Sequence, residues 1–161
     1  MKGGIPMIGT KILLVDDEKV FTDNMSSLLT TRGYRVTSVY DGERAIEALK
    51  RERFDVLVLD LKMPGMDGIA TLKEVKTLGL FTETLILTGH GSMDSAVEAI
   101  KLGAYDYLTK PCEIDDLVMK IEGAWGKKDG AEKKDMEEKI RKVVESPSSV
   151  FDLFPDSKKK K

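Results

Sequence analysis

The sequence predicts an α/β domain whose doubly wound, five-stranded parallel sheet carries helices on both faces. Three features support this. Five short apolar runs rich in β-branched residues punctuate the chain. Stretches of helical period separate them, and acidic, hydroxyl or basic residues follow several of the runs directly.

The first run, Ile12 to Val15, is continuous rather than alternating, as expected of a strand buried on both faces. Phe21, Met25, Leu28 and Leu29 then follow an i, i+4, i+7, i+8 pattern, and Gly33 is placed to end that helix. Val36 to Tyr40 forms the second strand. Asp41 is placed to cap a helix whose apolar stripe is Ala45, Ile46, Ala48 and Leu49. Val56 to Leu59 is the third strand, with Ile69, Leu72 and Val75 on the helix after it. Thr84 to Leu87 is the fourth, followed by Met93, Ala96, Val97 and Ile100. Tyr105 to Leu108 is the fifth, followed by Ile114, Leu117, Val118, Ile121 and Trp125. These stripes read as core.

The composition is that of a globular protein, and no apolar run approaches the roughly 20 residues needed to span a bilayer. Residues 1–10 lack the sustained apolar centre of a secretory signal and read as a flexible leader. Cys112 is the only cysteine, so no intrachain disulfide forms, and a cytoplasmic location is expected. A net charge near −2 gives no global bias toward nucleic acid or an anionic membrane.

In doubly wound sheets ligands sit outside the carboxyl ends of the strands. Asp16 and Asp17 follow the first strand and Asp60 ends the third. Thr88 follows the fourth, and Lys110 lies just beyond the fifth. Three carboxylates gathered on one rim repel one another unless a cation or protons intervene. A hard divalent ion such as Mg²⁺, which accepts few carboxylates together with water and phosphate oxygens, resolves that repulsion. A carboxylate there can act as nucleophile toward an activated phosphoryl group, with the ion, Lys110 and Thr88 neutralising the equatorial oxygens. Each piece alone is commonplace; the ordered set carries the signal.

The motifs Ile12-Leu13-Leu14-Val15-Asp16-Asp17-Glu18, Leu57 to Gly68, Leu87-Thr88-Gly89-His90-Gly91 and Gly103 to Pro111 resemble the receiver domain of two-component response regulators. The likeness covers about residues 11–125 and is closest to receivers of NtrC-type regulators. It implies a flavodoxin-like, CheY-like (βα)5 fold. It also implies Asp60 as phosphoacceptor, Asp17 and Asp60 as direct Mg²⁺ ligands, Asp16 as a ligand directly or through water, and the backbone carbonyl of Lys62 as another. Thr88 and Lys110 would bind the phosphoryl group, and the Lys110–Pro111 bond would be cis. Thr88 and Tyr107 would form the switch, remodelling the surface of the fourth helix, fifth strand and fifth helix. Lys62, Gly89 and His90 would modulate access to the phosphoryl group, although a solvated loop histidine is the default reading of His90. The implied partners are a sensor histidine kinase or phosphotransfer protein and a downstream protein target, with no direct nucleic acid and no membrane. Such a domain is not an enzyme acting on separate metabolites. Phosphatases with an aspartyl-phosphate intermediate usually separate the two acids after the first strand by one residue, whereas Asp16 and Asp17 are adjacent.

Gly123, Gly126 and Gly130 read as interruptions after the fifth helix, opening an extension over residues 126–161. Within it residues 131–145 look helical, with Met136, Ile140, Val143 and Val144 on one stripe. That stripe fits either a helix packed loosely on its own domain or a homodimer or partner-docking helix. Residues 146–161 read as a disordered tail with an apolar segment, Val150 to Phe154. Two functional readings remain open: a response regulator acting through protein contact, or the receiver module of a larger transcription regulator whose output domain is absent from this chain.

Overall fold

The computed structural model describes residues 9–89 and 93–146. The expectations for most of the leader, for His90 and for the tail with its Val150–Phe154 segment lie outside the described residues.

Strands and helices alternate: β1 (Lys11–Val15), α1 (Lys19–Thr31), β2 (Arg35–Val39), α2 (Gly42–Arg51), β3 (Val56–Leu59), α3 (Gly68–Thr77), β4 (Glu83–Thr88), α4 (Met93–Lys101), β5 (Asp106–Thr109) and α5 (Ile114–Glu145). The sheet order is β2-β1-β3-β4-β5, and every pairing is parallel. All strands therefore end on one edge. Val15 pairs with both Val39 and Leu59, and Thr88 pairs with Thr109.

Successive strand residues face opposite sides, which sorts the core into two layers. Leu13, Val15, Leu57, Leu59 and Ile86 pack with residues of α2, α3 and α4. Ile12, Leu14, Val56, Val58, Leu85 and Leu87 pack with Met25 and Leu29 of α1 and with Leu117, Ile121 and Ala124 of α5. Burying a Leu, Ile or Val side chain contributes about 1.5–3 kcal/mol, so the continuous apolar runs stabilise both layers at once.

Leu28, Val97 and Ile100 of the stripes read as core are exposed, whereas several local signals act where the sequence places them. The Asp41 carboxylate accepts a hydrogen bond from the Arg44 N–H, capping α2, and Asp67 does the same for Ala70 at the start of α3. Gly33 follows α1 with φ +96°, a conformation glycine adopts without penalty. The predicted break after the fifth helix does not occur: α5 runs through Gly123, Gly126 and Gly130 to Glu145. Each glycine costs a helix only about 1 kcal/mol relative to alanine, which packing can offset. At Gly123 the missing side chain has a use, because a Cβ would overlap the Tyr105 hydroxyl and lie 3.1 Å from its Cζ.

The described residues divide into two compact units, with the boundary between Lys128 and Asp129. In the first, Lys128 pairs with Asp55 at 2.6 Å, and Asp55 also accepts the backbone N–H of Lys11 at 2.8 Å. In the second, the described residues continue α5 with i,i+4 pairs such as Lys133–Asp129 and Lys139–Asp135. Met136, Ile140 and Val144 are exposed at four-residue spacing.

Candidate functional site at the carboxyl edge of the sheet

The sheet ladder extends one residue past the strands and aligns the acids. Asp16 N–H donates to the Val39 carbonyl, and Asp60 N–H donates to the Val15 carbonyl at 3.0 Å. Lys110 N–H donates to the Thr88 carbonyl at 2.7 Å, which ties the segment after β5 to the end of β4. The chain then turns locally. Asp16 Oδ1 accepts the Glu18 N–H at 2.9 Å, and the buried Thr22 hydroxyl donates to the carbonyls of Asp16 and Glu18. Asp60 Oδ1 accepts the Lys62 N–H at 3.2 Å. Gly68, at the start of α3, packs so closely on the backbone of Asp60 and Leu61 that no side chain fits.

These contacts gather Asp16, Asp17 and Asp60, each offering an oxygen, within 4.8 Å of one another. Asp16 and Asp60 are buried and Asp17 is exposed. Such a cluster, hard oxygen donors with one open side, matches what a small divalent cation requires. Burial pushes the Asp16 carboxyl above the ordinary aspartate range, with Asp60 adding to the shift, while Lys110 and the Glu18 N–H oppose it.

Lys110 reaches into this cluster. Its ammonium lies 2.5 Å from Asp16 Oδ2, 2.8 Å from Glu18 Oε1 and 3.6 Å from Asp60 Oδ2. It also sits 4.4 Å from the centre of the Phe21 ring. Burial opposes its charge, but the hydrogen bonds to Asp16 and Glu18 and the nearby Asp60 outweigh that and hold the ammonium above the usual lysine range. The Lys110–Pro111 peptide is cis.

The other predicted residues fall around this centre. Thr88 ends β4 fully buried, and its hydroxyl has no hydrogen-bond partner among the described residues. Gly89 is half-buried, and no described residue lies within 4 Å of where a Cβ would stand. The Lys62 side chain is exposed. Tyr107 is half-buried on β5 beside Ile86, packed against the core layer of α2, α3 and α4. Two participants were given no role by sequence reasoning, Glu18 and Phe21. Glu18 stands beside the paired acids, which is a usable signal; Phe21 read simply as helix core.

Comparison with known proteins agrees with this arrangement. The family model described as "Response regulator receiver domain" matches residues 12–122. Transcriptional regulatory protein ZraR of Klebsiella oxytoca is 38% identical over 146 residues, covering 91% of this chain and 31% of the relative. The DNA-binding transcriptional regulator NtrC of Escherichia coli is 38% identical over 113 residues, covering 70% of this chain and 24% of the relative. The chain thus spans less than a third of the length of these relatives. Among solved structures, a response regulator receiver domain protein from Clostridium thermocellum superposes with TM-score 0.71 at 34% identity, covering 74% of this chain and 97% of that one.

Proposed function

This chain belongs to the response regulator receiver domain family, a signalling module rather than a conventional enzyme, and we propose that it accepts a phosphoryl group on Asp60 from a histidine kinase or phosphotransfer protein. The observation that carries this reading is the convergence of Asp16, Asp17 and Asp60 within 4.8 Å, with the Lys110 ammonium beside Asp16 and Asp60.

In the proposed reaction a carboxylate oxygen of Asp60 forms a bond to phosphorus as the bond from phosphorus to the donor's histidine nitrogen breaks. Mg²⁺ is the expected cofactor: Asp16, Asp17, Asp60 and the Lys62 carbonyl would hold it, and it would supply positive charge against the phosphoryl oxygens. Lys110 supplies a second positive charge, its ammonium 3.6 Å from Asp60 Oδ2, and its raised affinity for protons keeps it cationic. Thr88 offers a buried hydroxyl with no described partner, a donor suited to a phosphoryl oxygen. Gly89, with no described residue within 4 Å of a Cβ position, would leave the approach open. By the family resemblance Lys62 and His90 would modulate water access, and His90 lies outside the described residues.

Phosphorylation adds about 1.5–2 negative charges. Thr88 moving toward them would free space for the half-buried Tyr107, altering the surface of α4, β5 and α5 that a protein target reads. A cytoplasmic location belongs to the same reading; no helix among the described residues is long and apolar enough to cross a membrane. The second reading, a receiver within a larger transcription regulator, is favoured by the length and names of the relatives.

Incubation with acetyl phosphate and Mg²⁺ tests the reaction. Intact-mass analysis is expected to show one phosphoryl adduct in the wild type and none in Asp60→Asn. An adduct of equal yield in Asp60→Asn would refute the assignment.

A further inference from the structure

The three close contacts of the Lys110 ammonium all come from one short segment, residues 16–21. Asp16 lies at 2.5 Å, Glu18 at 2.8 Å and the Phe21 ring centre at 4.4 Å, whereas Asp60 on β3 stands off at 3.6 Å. Lys110 is thus drawn toward the β1–α1 segment and away from the residue it must serve. We propose that Glu18 is a positioning residue that parks Lys110 on the β1–α1 segment and so weakens the hold of this site on a phosphoryl group at Asp60.

The claim rests on Asp60 being the phosphoacceptor, and it distinguishes Glu18 from its neighbours. Asp16 is buried and belongs to the acidic cluster, so its carboxylate is committed to whatever cation the cluster holds. Glu18 is outside that cluster, and its side chain is 64% exposed. Its hydrogen bond to Lys110 is therefore the part of the parking arrangement that persists when Asp16 is engaged elsewhere. An ammonium offers three donors on a flexible stem and can move between acceptors. To contact a phosphoryl group on Asp60 fully, it must give up or share its bond to Glu18. The Phe21 ring adds to the pull from the same side. Solvent weakens an exposed carboxylate, so the effect is of the size of one exposed charge pair: about a two- to fivefold change in affinity.

The test uses the full chain, Mg²⁺ at saturating concentration, and beryllofluoride as the phosphoryl mimic, with affinity read by calorimetry. Glu18→Gln is expected to bind beryllofluoride about two- to fivefold more tightly than wild type. In a Lys110→Ala background the same substitution is expected to change nothing. Equal tightening in both backgrounds would show that Glu18 acts through its field alone and would overturn the proposal; so would unchanged affinity in the single variant. Should Lys110→Ala not fold, the Lys110 Cε resonance decides. In Glu18→Gln alone it is expected to shift toward its beryllofluoride-bound position before any mimic is added, and an unmoved resonance overturns the claim. Failure of the wild type to bind beryllofluoride would instead overturn the reading of Asp60.

Discussion

Gly68→Ala tests how tightly the phosphoacceptor's backbone is wedged against α3. A Cβ at residue 68 would lie well under 3.0 Å from the carbonyl oxygen of Asp60 and the Cα of Leu61, and 2.9 Å from Leu61 Cδ2. Two of these neighbours are backbone in the strand-to-loop turn, so they cannot swing aside as a flexible side chain would. Relief requires the first turn of α3 to move by about an ångström, against a core held at near-crystalline density. Overpacking of this kind costs about 1–3 kcal/mol and at times more. With backbone on both sides, we expect the upper part of that range, about 2–3 kcal/mol. For a domain of this size each kcal/mol shifts the melting temperature by roughly 3–5 °C. The predicted fall is therefore about 6–15 °C by calorimetry. Gly126→Ala is the control: no described residue lies within 4 Å of its Cβ, and it sits within α5. It should gain about 0.5–1 kcal/mol from helix propensity. If Gly68→Ala melted within about 2 °C of wild type, the wedge would not exist as described.

Two further outcomes follow from charges away from the site. Burial, with Asp116 and Glu113 adding to it, pushes the Cys112 thiol above its ordinary range, so alkylation by iodoacetamide near pH 8 should be slower in the folded chain than after unfolding in urea; equal rates would contradict this. Burial alone would raise the Asp106 carboxyl, but Lys120 and the Tyr107 N–H outweigh it and hold it below the ordinary aspartate range. The stability it contributes is therefore present above the unfolded aspartate pKa and lost as pH falls through the lowered folded value. The acid limb of the melting-temperature profile should accordingly flatten in Lys120→Met, and an unchanged limb would refute the link.

Much of the fold was legible because this architecture writes itself in local signals. Strands buried on both faces need unbroken apolar runs, so Ile12 to Val15 and Val56 to Leu59 stand out without any neighbour being known. The acids at residues 16, 17 and 60 were legible for a related reason: parallel topology sends every strand end to the same edge. What escaped were relations set only by tertiary packing. The glycines in α5 read as breaks because propensity is local, whereas the room needed by the Tyr105 hydroxyl at Gly123 comes from another element. The Glu18–Lys110 bond joins residues 92 positions apart, and no spacing rule connects them. Gly68 read as the end of a motif, and its contact with the Asp60 backbone appears only once α3 is docked.

Charge at this edge is unevenly balanced. Asp16, Glu18 and Asp60 all face Lys110, with Asp17 at the open side of the cluster. One ammonium cannot neutralise four carboxylates, so the site keeps an excess of negative charge that favours a divalent ion over a second lysine or arginine. Lys110 nonetheless lowers the cost of burying Asp16 and Asp60, since a buried carboxylate with no partner is far more expensive than a paired one. The buried Thr88 hydroxyl works in the opposite sense. It has no partner among the described residues, and a buried hydroxyl left unpaired costs about 1–3 kcal/mol. Lys110 is shared among three carboxylates, whereas the Thr88 hydroxyl has no acceptor among the described residues.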